Sequence, residues 1–204
     1  GKSKDAFFAS MSHEIRTPMN SIIGLTYLTK ENAKNEKQVL ENLGTINMSA
    51  HFLLSFIDDI LNLSQIESGN IALIQEDMNF EAFLNELEQI VSKKAEEKQV
   101  GFSMIKRGSF SEVYHFDGEK LKKALLNILE NGVKYTQPDG KVDFIVECLT
   151  DKETESSIRF EVRDTGVGMD ESFLPYVFDA FEQERDGNTT LNGGTGLGLA
   201  ISRN

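Results

Sequence analysis

Apolar residues at Phe8, Met11, Ile15, Met19, Ile22 and Leu25 recur at intervals of three and four, which is the stripe of an amphipathic helix. The spacing predicts a helix over about Ser3 to Lys30. The segment TKENAKNEK, Thr29 to Lys37, is polar and holds two asparagines, so it reads as a turn. A second stripe follows at Leu40, Leu43, Ala50, Leu53, Ile57, Ile60 or Leu61, and Ser64, and Ser68-Gly69-Asn70 closes it with a glycine suited to a helix C-cap. Two long helices joined by a short polar turn form an antiparallel hairpin. A hairpin has one mutual interface and cannot bury both stripes, so a second copy is the expected partner, giving a homodimer built as a four-helix bundle.

The period changes after Ile71, which places a domain boundary near Gly69 to Gln75 and divides the chain into 1–69 and 70–204. Asn79 to Lys98 has helical spacing at Phe80, Phe83, Leu84, Leu87 and Val91, and the strand-like runs VGFSMI and VYHF follow. Asp117 can cap a helix from about Glu119 to Lys134, and Pro138-Asp139-Gly140 marks a turn. Lys141 to Leu149 and Ser157 to Arg163 then alternate as paired strands. The fold class expected is α+β multidomain: a helical hairpin, then an α/β sandwich with helices on one face of a mixed sheet.

Composition narrows the partners. Against 21 basic residues stand 33 acidic ones, a net charge of -12, which opposes binding to nucleic acid or anionic lipid unless lysine and arginine are locally concentrated. No such run occurs. No window approaches roughly 18 consecutive apolar residues and no signal-like segment opens the chain, so membrane contact by this segment is not expected. The single cysteine, Cys148, lies in the apolar run VDFIVECL and reads as a core thiol of a reducing compartment.

Candidate chemistry lies in clusters. Asn127 and Asn131 are four residues apart with Lys134 and Tyr135 after them, so on a helix both amides share a side that could hold a metal ion and phosphates. Their apolar surroundings, LLNILENGV, are unusual for a solvated face. Asp164-Thr165-Gly166-Val167-Gly168-Met169 follows a strand: its glycines permit a tight turn and close approach of a ligand, and its carboxylate can accept from an amino group. Phe178-Asp-Ala-Phe181-Glu-Gln183 precedes a polar stretch, and Gly193-Gly194-Thr195-Gly196-Leu197-Gly198-Leu199 leads into helical residues, an arrangement suited to phosphate. Neither a P-loop nor a dinucleotide fingerprint is present. Among the histidines, His13 has Glu14 beside it and Thr17 four residues on, whereas His51 and His115 read as structural.

In this order HEIRTP, NILENGVKYT, DTGVGMD, FDAFEQ and GGTGLGLAIS resemble the H, N, G1, F and G2 boxes of the sensor histidine kinases of two-component signalling, the hybrid-type members in particular. The resemblance covers nearly the whole chain. It implies a dimerisation and phosphotransfer hairpin followed by a Bergerat-type ATP-binding domain. It also implies that ATP with Mg²⁺ phosphorylates His13, which passes the group to the aspartate of a response-regulator receiver domain, fused or separate. By position, Glu14 is the acid that polarises His13, and Thr17 is the residue that orients water for dephosphorylation of the partner. Asn127 and Asn131 are the N-box pair, with Asn131 as magnesium ligand, Lys134 toward phosphate and Tyr135 beside the nucleotide. Asp164 reads the adenine amino group, Gly166 and Gly168 form the turn beneath the base, and Gly194, Gly196 and Gly198 belong to the lid. Phe178 and Phe181 anchor that lid.

The implied location is a cytoplasmic segment of a protein that can be membrane-anchored as a whole. Six residues follow Gly198, short of the family's last pair of strands, so the ATP domain is expected to be incomplete at its C-terminus, with an unpaired apolar edge. Alternatives are a dimeric signalling scaffold, a phosphatase-dominant member, and a Bergerat-fold ATP hydrolase. The hydrolases carry a glutamate as general base where this chain has Asn127.

Overall fold

The computed structural model describes residues 2–67, 72–152, 155–180, 182 and 196–203. The chain divides into two compact units, Gly1–Asn70 with Asp179–Leu197, and Ile71–Phe178 with Gly198–Asn204.

The first unit is the hairpin of α1 (Lys2–Glu31) and α2 (Glu36–Glu67). The predicted turn is shorter than its polar stretch, because the two asparagines hold both helix ends. The Asn32 amide and side chain both donate to the Leu28 carbonyl, at 2.9 and 3.0 Å, and Asn35 Oδ1 accepts from the Gln38 amide at 3.2 Å as the cap of α2. Pro18 is buried inside α1, which continues through it. Phe56 and Leu63 are buried, and Phe52 and Phe56 stack at 6.2 Å. Many apolar side chains face outward, some from the predicted stripes and some beside them: Met19, Ile23 and Tyr27 on α1, and Leu40, Met48, Leu54 and Leu61 on α2, are exposed. The predicted cap at Ser68-Gly69-Asn70 lies outside the described residues.

The second unit contains β1 (Glu76–Asn79), α3 (Phe80–Glu97), β2 (Gly101–Arg107), β3 (Val113–Phe116), α4 (Gly118–Tyr135), β4 (Lys141–Asp151), β5 (Ser156–Asp164) and the short α5 (Gly198–Arg203). Strand β1 pairs antiparallel with β3. The main sheet runs β2-β4-β5, parallel at the first pairing and antiparallel at the second, the mixed sheet the sequence predicts. Helices α3 and α4 cover one face, where Phe83, Leu87, Val91, Leu129 and Val133 pack with Val142, Phe144 and Val146 of β4. Under the β1–β3 ribbon, Phe80 meets Tyr114 edge to face at 5.0 Å, and Phe83 meets Phe116 at 5.2 Å. On the opposite face Arg159, Glu161 and Arg163 line β5, an edge strand among the described residues; the expected edge is therefore charged on one side and apolar only on the side facing the helices. No described helix is long and apolar enough to cross a membrane.

Both long helices of this unit start at side-chain caps. Asn79 Oδ1 accepts from the Ala82 amide at 2.8 Å, and Asp117 Oδ1 accepts from the Lys120 amide at 3.0 Å. The Lys120 ammonium also donates to Asp117 Oδ2 at 2.8 Å, and this bond, the Lys120 amide and the Ile74 amide together hold the Asp117 carboxyl down at about 2. A depressed carboxyl stabilises the fold above its unfolded value of 3.8 and ceases to do so as pH falls toward about 2. Chemical denaturation across this acid range should therefore show a loss of stability that Asp117→Asn lacks. At neutral pH, Asn79→Ala should cost about 0.5–2 kcal/mol by the same measurement.

Candidate functional site

Helix α4 carries two parallel stripes. Leu125, Leu129 and Gly132 are buried against the core, and Asn127, Asn131 and Lys134, at the same spacing but two residues on, occupy another face. Gly132 brings the helix close to the sheet: a Cβ there would lie 3.4 Å from methyl groups of Val142 and Val162. Ion pairs from Lys122 to Glu86 at 3.0 Å and from Lys94 to Glu130 at 2.5 Å tie α4 to α3.

The C-terminal end of α4 is held by residues that sequence reasoning missed. Lys98, just beyond α3, donates its ammonium to the carbonyl oxygens of Val133, at 3.1 Å, and Lys134. Burial first, and the neighbouring Lys134 charge second, lower the Lys98 pKa. The buried Thr136 hydroxyl bonds the Gly132 carbonyl at 2.7 Å. The visible clue was a polar run, Glu96 to Gln99, ending a helix; it does not indicate which carbonyls a lysine reaches.

The turn after β5 meets this helix end. Val167 N–H donates to the Tyr135 carbonyl at 3.3 Å, and Gly166 N–H donates to Asp164 Oδ1 at 2.9 Å, orienting the carboxylate of this exposed residue. Gly166 is required sterically, since a Cβ would come within 2.7 Å of Asp164 Oδ1 and 2.8 Å of the Tyr135 oxygen. Gly168 is required by conformation, with φ of 74° and open space around it. The Lys134 ammonium lies 4.9 Å from the Tyr135 ring centre.

Asn127 and Asn131 diverge. Asn127 Nδ2 donates to the Gly198 carbonyl at 3.1 Å and to Ser202 Oγ at 3.3 Å, tying α5 to α4. The Asn131 side chain has no hydrogen bond among the described residues, so its amide oxygen is available to a ligand. No cluster of three acidic, histidine or cysteine side chains suited to a metal exists among the described residues. An isolated amide oxygen suits Mg²⁺, which keeps most of its shell as water and phosphate oxygens. Gly196 has φ of 69°. Phe178 is exposed with Arg203 over its ring at 5.7 Å. Phe181 and Gly194 lie outside the described residues.

On the hairpin, the His13 side chain is 76% exposed, and its Nδ1 lies 3.7 Å from Glu14 Oε1. The Thr17 hydroxyl points back along the helix and donates to the His13 carbonyl at 3.3 Å. His115 pairs with Asp77 at 2.9 Å across the β1–β3 ribbon, a surface cross-strand pair, as its structural reading required.

Two glycine substitutions separate the roles in the β5 turn. Gly166→Ala should cost about 1–3 kcal/mol through collision with the end of α4, and Gly168→Ala about 1–2 kcal/mol through backbone strain alone. Thermal melts of both variants check this.

Residues 3–69 match the His Kinase A (phospho-acceptor) domain, and residues 116–204 match the histidine kinase-, DNA gyrase B-, and HSP90-like ATPase domain. The autoinducer 2 sensor kinase/phosphatase LuxQ of Vibrio vulnificus is 36% identical over 204 residues, which are 100% of this chain and 24% of LuxQ. The hybrid signal transduction histidine kinase B of Dictyostelium discoideum is 33% identical over 202 residues, 99% of this chain and 10% of that protein. Full-length ShkA, solved in complex with AMPPNP, superposes with a TM-score of 0.66 at 28% identity, covering 95% of this chain and 38% of ShkA. The chain thus spans a quarter or less of the curated relatives it matches here. With residues 3–69 matching a phospho-acceptor domain, residues 116–204 matching an ATPase domain, and relatives whose alignment covers this whole chain, the chain belongs to the sensor histidine kinases.

Proposed function

We propose that residues 1–69 and 70–204 are the dimerisation/phosphotransfer and ATP-binding domains of a hybrid-type protein-histidine kinase that transfers the γ-phosphoryl group of ATP to His13. The observation that carries this reading is the pairing of an exposed imidazole beside a carboxylate with a helix whose Asn131 amide is uncommitted. With Nδ1 turned toward Glu14, His13 presents Nε2 to the γ-phosphorus. A P–N bond forms, the bond to the ADP oxygen breaks, and Glu14 offsets the charge that develops on the ring.

The second domain supplies orientation. Asp164 Oδ2 accepts from the adenine amino group, and the Gly166–Gly168 turn admits the base beside Tyr135. Lys134 faces the phosphates, with Gly194, Gly196 and Gly198 completing the phosphate loop. Asn131 holds Mg²⁺, which when bound neutralises phosphate charge. Asn127 acts on α5 through Gly198 and Ser202, so its effect on the nucleotide is indirect. An amide at that position also leaves water without the carboxylate base that hydrolysis requires, which favours transfer over hydrolysis.

The outward apolar stripe of α1 and α2 supports a homodimer whose four helices close a bundle. Phosphorylated His13 then donates to the aspartate of a receiver domain, fused or separate. The Thr17 hydroxyl, one turn from His13, serves the reverse, water-dependent reaction once it releases the His13 carbonyl.

Incubation with ATP radiolabelled at the γ-phosphate and Mg²⁺ should give an acid-labile, alkali-stable label. His13→Gln should abolish it, and Asn131→Ala should slow labelling by at least about tenfold by weakening the metal–nucleotide complex. Label retained in the His13 variant, or none in the unaltered chain with nucleotide bound, would refute the reading.

A further inference from the structure

The segment after the hairpin is fastened to the second unit by a device that the proposed chemistry does not use. Ile74 N–H donates to Asp117 Oδ2 at 3.0 Å, and the Lys120 ammonium donates both to the Ala72 carbonyl at 3.0 Å and to Asp117 Oδ2 at 2.8 Å. Asp117 is buried, and among the described residues its carboxylate is bonded only to this segment and the first turn of α4. Leu73 and Ile74 side chains are exposed, so apolar burial does not hold the segment. Polar bonds from Asp117 and Lys120 do.

We propose that Asp117 and Lys120 are positioning residues that set the length of the tether between the phospho-acceptor helices and the nucleotide site. With the clamp closed, the connection from Glu67, the end of α2, to Ala72 is residues 68–71, a reach of at most roughly 18 Å. With it open, the next ordered point is β1 at Glu76, and the reach becomes roughly 32 Å. Where the short connection already spans the two sites, effective concentration falls as about the three-halves power of its length, so opening the clamp lowers productive encounters of His13 with bound ATP about two- to threefold. The depressed Asp117 carboxyl keeps the clamp charged throughout the neutral range. This inference rests on the kinase reading above.

The test compares autophosphorylation of the unaltered chain with Lys120→Met, which keeps the α4 cap, and with Asp117→Ser plus Lys120→Met, where serine still caps but is too short to reach Ile74 as well. A third variant inserts four Gly/Ser residues between Gly69 and Asn70 and leaves the clamp intact. Expected are a kcat about two- to threefold lower in all three, an unchanged KM for ATP, and faster hydrogen exchange at the Ile74 amide in the clamp variants only. Wild-type kcat in a clamp variant whose Ile74 amide is released overturns the proposal, as does an insertion without effect. A rise in KM that accounts for the loss overturns it too, by placing the effect at the nucleotide. Absence of label in the unaltered chain removes the kinase reading and this proposal together; equal labelling rates remove the proposal alone.

Discussion

The last carbonyl groups of α4, beyond that of Gly132, which the Thr136 amide reaches at 3.2 Å, have no partners within the helix, yet they lie where the chain must leave the core. Three polar groups settle this conflict. Lys98 takes the Val133 and Lys134 carbonyls, Thr136 takes Gly132, and Val167 takes Tyr135. Each comes from a different stretch of chain, so the end of α3, the end of α4 and the turn after β5 are locked at one point. Asp164 owes its orientation to that lock through Gly166, and Lys134 and Tyr135 are its direct members. Asp117 does the corresponding work at the other end of α4. A helix fixed at both ends, and pressed to the sheet at Gly132, cannot turn about its axis, which keeps the Asn131 amide directed away from the core.

The hairpin obeys a different rule. Its helices are long, but packing two cylinders against each other covers only one side of each, and the remainder stays apolar and exposed. His13 tolerates this situation because its own position is polar and accessible in any case. The same element thus presents an exposed apolar surface and a solvent-facing imidazole, separated only by rotation around α1.

Much of this was legible from spacing. The stripes of α1 and α2, the Phe80 to Val91 face of α3, the Asp117 cap and the mixed sheet follow from periodicity and turn residues, because those signals are local. What escaped is non-local. Asn127 and Asn131 look equivalent in sequence, but one is occupied by Gly198 and Ser202, more than seventy residues away, and the other is not. Lys98 marked only the end of a helical segment, and nothing local tells which carbonyls its ammonium reaches. The unpaired edge was expected to be apolar because the family's last pair of strands would have covered it; on β5, however, Arg159 pairs with Glu147 across the strands and Arg163 with Glu161 along the strand.

The Lys134 charge lies close enough to Lys98 to contribute, after burial, to the lowered pKa of Lys98. An anion that neutralises Lys134 removes the contribution. A group that neutralised Lys134 would therefore let Lys98 hold its proton more firmly, and by linkage a protonated Lys98 would favour that group.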